Sequence, residues 1–141
     1  MFNLKRIING RVNVSEPLLM ASGVTDETTF TAGTAVAFVS GKLTVVSGDK
    51  KAEYIVHSTT DCKEADDKVP LILVTPDMLF ETTVSADPDS MVIGGRYQIE
   101  TEGTKVTATA VTDTAAESAG AYLVDKLGAT DSGDTILVRL A

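Results

Sequence analysis

From Thr34 onward the chain alternates. Apolar side chains recur at every second position in short runs, and Gly, Asp, Ser and Pro separate the runs. That is the pattern of half-buried strands joined by turns. In "TAVAFVSGKLTVVSG", Thr34 to Gly48, the pair Ser40-Gly41 predicts a two-residue hairpin turn, with glycine supplying positive φ. The turn sets Val39 opposite Lys42, Phe38 opposite Leu43 and Val36 opposite Val45. In "RYQIETEGTKVTATA", Arg96 to Ala110, a turn at Glu102-Gly103 sets Ile99 opposite Val106 and Tyr97 opposite Ala108 on an apolar face. Its polar face sets Glu100 opposite Lys105 and Gln98 opposite Thr107.

Further strands are predicted in "AEYIVHSTT" from Ala52, "VPLILVT" from Val69, "MLFETTVSA" from Met78, "AYLVDKLG" from Ala121 and "TILVRL" from Thr135. Pro76 lacks a backbone donor and marks a corner between the second and third of these. Beyond it, Met78, Phe80, Thr82 and Val84 share one face, and Leu79, Glu81, Thr83 and Ser85 the other. In the last run Ile136, Val138 and Leu140 point inward. An acidic loop is expected from Thr60 to Lys68, and a turn from Thr130 to Asp134. Asp113 to Ser118 is the one helical candidate, and it is short. The expected class is therefore all-β.

The first stretch, "MFNLKRIINGRVNV", breaks the pattern. It carries Phe2, Leu4, Ile7 and Ile8 beside Lys5, Arg6 and Arg11, and Ser15-Glu16-Pro17 then interrupts pairing. Residues 1–20 are expected to form an extended arm that lies on another body, with 21–141 a single β domain. The alternative is a first strand paired within the domain, since termini are often tied into sheets.

Composition narrows the function. A chain of 141 residues fits one domain. Twenty acidic against 12 basic residues give a net charge of −8, which argues against a phosphate-backbone partner and makes free copies repel. The one cysteine, Cys62, allows no intrachain disulfide and suits a reducing cytoplasm. No secretory leader or run of 18 apolar residues is present, so no membrane partner is expected. Aromatic residues make up 5% with no Trp, which is poor material for stacking sugars or bases.

Candidate chemistry is sparse. His57 and Cys62 lie five positions apart, but no third group or oxyanion loop accompanies them. Asp61, Cys62, Glu64, Asp66 and Asp67 could offer ligands to a hard cation, yet the run lacks the glycine turn and spacing of a calcium loop. Glu81 with Asp87 or Asp89 could form a hydrolase pair. Glu81 shares its face with Thr83 and Ser85, so these carboxylates are expected to face water or a neighbouring subunit. Ile93-Gly94-Gly95 has no following lysine or helix and does not read as a phosphate loop. The sequence predicts no catalytic residue, no cofactor and no metal site.

The series "LILVTPDMLFETTVSAD", "MVIGGRYQIETEGTKVTAT", "GAYLVDKLG" and "GDTILVRL" resembles the small head decoration proteins of tailed bacteriophages and prophages. The likeness covers roughly Val36 to Leu140. It implies a compact β-barrel or β-tulip-like domain that binds, usually as a homotrimer, to the major capsid protein on the outer surface of an expanded icosahedral head. The implied role is to cement the shell, in a protein made in the host cytoplasm. It implies no enzyme activity. The arm residues Phe2, Leu4, Lys5, Arg6, Ile7, Ile8 and Arg11 are then candidates for capsid or subunit contact. Rival readings are a tail-tube or head-fibre base protein, or a stand-alone carbohydrate-binding sandwich.

Overall fold

A computed structural model describes residues 1–7, 18–21, 28–64, 67–112 and 120–140. Among the described residues the chain is all-β, with no helix. In chain order its strands are β1 (Asn3–Ile7), β2 (Leu18–Ala21), β3 (Thr28–Phe30), β4 (Ala35–Val39), β5 (Lys42–Val45), β6 (Tyr54–Val56) and β7 (Thr60–Cys62). There follow β8 (Val69–Leu73), β9 (Met78–Thr83), β10 (Arg96–Ile99), β11 (Val106–Ala110), β12 (Ala121–Asp125) and β13 (Thr135–Arg139). They build a six-stranded sheet ordered β1-β9-β13-β12-β10-β11, a five-stranded sheet ordered β2-β8-β6-β4-β5, and a β3-β7 ribbon. These strands all pair antiparallel.

The first hairpin has the predicted register: Val36 opposes Val45, Phe38 opposes Leu43 and Val39 opposes Lys42. Ser40 and Gly41 have φ of 52° and 78°, as a type I′ turn requires at both central positions. The second hairpin keeps its prediction only near the turn. Ile99 opposes Val106, and the Glu100 N–H donates to the Lys105 carbonyl at 3.0 Å. Farther out, Tyr97 opposes Ala110 rather than Ala108. The cause is a competing attachment. The Ser85 N–H donates to the Val106 carbonyl at 2.8 Å, and Val84 and Val106 form a parallel bridge. A bulge lets β11 bend back toward β9 without giving up β10.

The two large sheets enclose the main core. Met78, Phe80, Leu123, Ile136, Val138, Leu140 and Ile99 come from the six-stranded side, and Ala35, Ala37, Ile55 and Ile72 from the other. Alternation accounts for this, since each inward residue lies two positions from the next. A second cluster fills the space between the outer face of the five-stranded sheet and the ribbon. It comprises Phe30, Val36, Leu43, Val56, Cys62, Val69 and Leu71. Backbone bonds tie the sheets together. Gly48 and Ile99 exchange N–H···O bonds of 2.7 and 3.1 Å, and the Ala35 N–H donates to the Gly103 carbonyl at 2.7 Å.

Two further expectations need correction. The segment expected to be wholly an acidic loop begins as a strand, with Thr60, Asp61 and Cys62 paired to Phe30, Thr29 and Thr28. Its partner lies some thirty residues away, and composition around Asp61 cannot reveal it. The N-terminal segment, where it is described, is not an arm. Asn3–Ile7 forms the edge strand of the six-stranded sheet against β9, and Phe2 is 2% exposed in the main core. The Phe2 N–H donates to the Gly33 carbonyl at 2.8 Å. Leu18–Ala21 pairs with β8 across the expected boundary at residue 20. The segment from Ile8 to Pro17, including Ile8 and Arg11, lies outside the described residues, as does the helical candidate Asp113 to Ser118.

Candidate functional site

The groups singled out for chemistry are dispersed by the fold. Cys62 points into the second cluster, and burial, then the Asp67 and Asp61 carboxylates, push its thiol pKa up. A raised thiol pKa disfavours the thiolate, the reactive form. His57 directly follows β6 and is exposed, with Nδ1 2.7 Å from the Ser58 hydroxyl. Among the described residues, no three side chains of His, Cys, Asp or Glu come together as metal ligands would.

The acids instead organise backbone. Asp67 accepts the N–H groups of Lys63 and Glu64 at 2.7 and 3.1 Å, and these two bonds hold its carboxyl below the usual range. Asp134 accepts those of Thr130 and Asp131, both at 3.0 Å, with the same effect and cause. Asp87 accepts the Asp89 N–H at 2.8 Å. Glu81 lies across from β1, where its carboxylate is 3.2 Å from Lys5 Nζ. Their side chains are 31% and 51% exposed, so the pair contributes under about 1 kcal/mol. Asp66 lies outside the described residues.

The residues proposed for contact divide. Phe2 is consumed by the core, and half-buried Leu4 packs against it. Lys5 is exposed on the outer face of the six-stranded sheet, in its pair with Glu81. Arg6 and Ile7 sit opposite Leu79 and Met78 in the pairing of β1 with β9. The Met1 ammonium donates to the Thr104 carbonyl, and burial, then Lys105, pull its pKa down against the opposing Glu100.

The outer face of this sheet carries a row that the sequence reading missed. Arg96 of β10 opposes Tyr122 of β12, and Tyr122 opposes Arg139 of β13. The Arg139 guanidinium lies 4.8 Å from the centre of the Tyr122 ring. A cation over an aromatic face contributes about 0.5–1 kcal/mol when partly wet. Arg139 Nε is buried and meets no hydrogen-bond acceptor among the described residues. One step from the Val138–Phe80 pair the line reaches Leu79, whose partner in β1 is Arg6. An acidic chain thus sets Arg96 and Arg139 on either side of an aromatic ring on one sheet face. The signal was present as outward positions two residues apart in "RYQI" and "ILVRL", but it needed the order of strands to bring them together.

Such a face can bind an acidic, partly apolar protein surface, since arginine offers planar donors to carboxylates and tyrosine adds rigid contact area. Comparison with protein-family models and with curated proteins finds no match for this chain.

Proposed function

We propose that this chain is a structural virion protein, a decoration protein that binds the outside of an expanded phage head and cements it, acting as a trimer. One observation carries the reading. The segments that resemble decoration proteins supply part of β8 and all of β9, β13, β12, β10 and β11, the last five being adjacent strands of one sheet, and that sheet's outer face holds the Arg96–Tyr122–Arg139 row. Residues that are far apart in sequence thus form one continuous surface suited to docking.

The proposal includes a barrel-like or tulip-like body. The return of β11 toward β9 at Val84 and Val106, and the bridge from Gly48 to Ile99, support it. A stiff body suits a cement, because each contact is then formed without the entropy cost of ordering a loop. Trimers multiply a modest contact by effective concentration.

Expanded heads lacking the chain provide the test. Purified protein should bind them saturably, raise their resistance to heat, and bind more weakly as salt rises. The double variant Arg96→Glu/Arg139→Glu should keep its β circular dichroism and lose at least about tenfold in affinity, the effect of reversing charge at an interface. No binding to heads, with clear binding to glycans, would sink the reading.

A further inference from the structure

Among the described residues the two most exposed large apolar side chains, Val92 and Ile93, share a turn at one end of the six-stranded sheet, and Leu127 is exposed on the turn that follows β12. Val92 and Ile93 are 66% and 61% exposed, and Leu127 is 48% exposed. Antiparallel pairing of β10 with β12 runs the segment before β10 alongside the later part of β12, toward the second turn. Lys126 Nζ donates across to the Pro88 carbonyl at 2.8 Å, and the Gly94 N–H donates to the Leu123 carbonyl at 2.9 Å.

Both turns are rigidly built. In the first, the Gly95 N–H donates to the Val92 carbonyl at 2.9 Å, and Gly94 has φ of 87°, which defines a type II turn with Ile93 at its tip. Beneath it Met91 is 2% exposed, and the Val92 N–H donates to the Tyr97 hydroxyl at 2.5 Å. In the second, the Ala129 N–H donates to the Lys126 carbonyl at 2.9 Å, with φ of 52° at Leu127 and 81° at Gly128. That is a primed turn, whose first central position favours Asn, Asp or Gly. A leucine there is strained, and the Asp125 carboxylate helps to hold it by accepting the Leu127 N–H at 2.9 Å.

Local stability would choose neither a strained leucine nor two exposed β-branched residues at a turn. Strain kept at a surface position points to a use for the side chain. The surroundings select the partner. Asp87, Asp89 and Asp125 are exposed beside these tips, and the one nearby cation in these turns, Lys126, already serves the Pro88 and Asp89 carbonyls. Acidic flanks repel an anionic membrane surface and suit a protein hollow with a basic rim. We infer that Val92, Ile93 and Leu127 form a preorganised apolar plug, which seats in an apolar hollow rimmed by Lys or Arg on the capsid lattice. This assignment rests on the decoration reading.

The test uses the full chain, expanded heads lacking it, and lipid vesicles. Leu127→Asn should raise the melting temperature, since asparagine tolerates the left-handed conformation. The triple variant Val92→Ser/Ile93→Ser/Leu127→Asn should melt no lower than wild type and bind heads at least about 30-fold more weakly, given the transfer value of three aliphatic side chains. Equal binding by wild type and triple variant overturns the plug and leaves the decoration reading standing. Wild-type protein that fails to bind heads overturns both. A lower melting temperature for Leu127→Asn, or binding of wild type to phosphatidylcholine or phosphatidylserine vesicles that the triple variant loses, also overturns it.

Discussion

Replacing Phe2 by alanine separates a strand that belongs to the fold from an arm laid on it. The ring is 2% exposed among the main-core residues, and its backbone is fixed by the 2.8 Å bond to Gly33. Removing a buried phenylalanine costs about 3–5 kcal/mol, partly from lost transfer energy and partly from the cavity left behind. For a domain of this size each kcal/mol lowers the melting temperature by about 2–4 °C, so the expected fall is about 6–20 °C. Urea unfolding followed by circular dichroism should show the midpoint drop with an unchanged slope, because the surface exposed on unfolding is nearly the same. Lys5→Ala is the control. It removes only the half-wet pair with Glu81 and should cost under about 1 kcal/mol. If Phe2→Ala stays within 1 kcal/mol of wild type, Phe2 holds no place in the core and the segment is a detachable arm after all.

Two further outcomes follow from the backbone and the turns. Gly120 has φ of 67°, and a Cβ there would lie 2.5 Å from the Tyr97 carbonyl oxygen, so Gly120→Ala should cost about 2 kcal/mol or more in denaturant unfolding. Gly128→Ala, at φ of 81° with no atom within 4 Å, should cost only about 1 kcal/mol, and equal costs would refute the clash. Because the folded state lowers the Asp134 pKa, its contribution is fully present above the ordinary aspartate value of about 3.9 and is lost as pH falls through the folded value. Stability of Asp134→Asn should therefore fall less steeply below pH 4 than that of wild type, and parallel curves would count against the two backbone bonds.

Much of the strand pattern was legible because local chemistry specified it. Ser40-Gly41 fixed an entire hairpin, since the turn and the apolar alternation demand the same register. The β10–β11 register was legible only to Val106, beyond which Ser85, on another segment, decides the pairing. The same limit hid β7, whose partner β3 is remote and whose Asp61 reads as loop. The apolar stretch at Phe2 was visible from the start, but periodicity cannot say whether an apolar segment is buried by its own domain or by a neighbour. The Arg96–Tyr122–Arg139 row was illegible for a related reason. Each residue is an ordinary outward position, and only the order of strands makes them adjacent.

The place of β13 bears on how the chain is made. It is the last of the described strands in sequence order, yet it lies between β9 and β12 in the interior of its sheet. As the polypeptide leaves the ribosome, β1 with β9, and β10 with β11 and β12, can form only two half-sheets, linked through the Val84–Val106 bridge but each showing a bare edge where β13 belongs. Such edges invite pairing with the wrong chain. Crowded polysomes therefore face their greatest aggregation hazard just before Thr135 emerges, and a product cut short at that point would keep both edges for good.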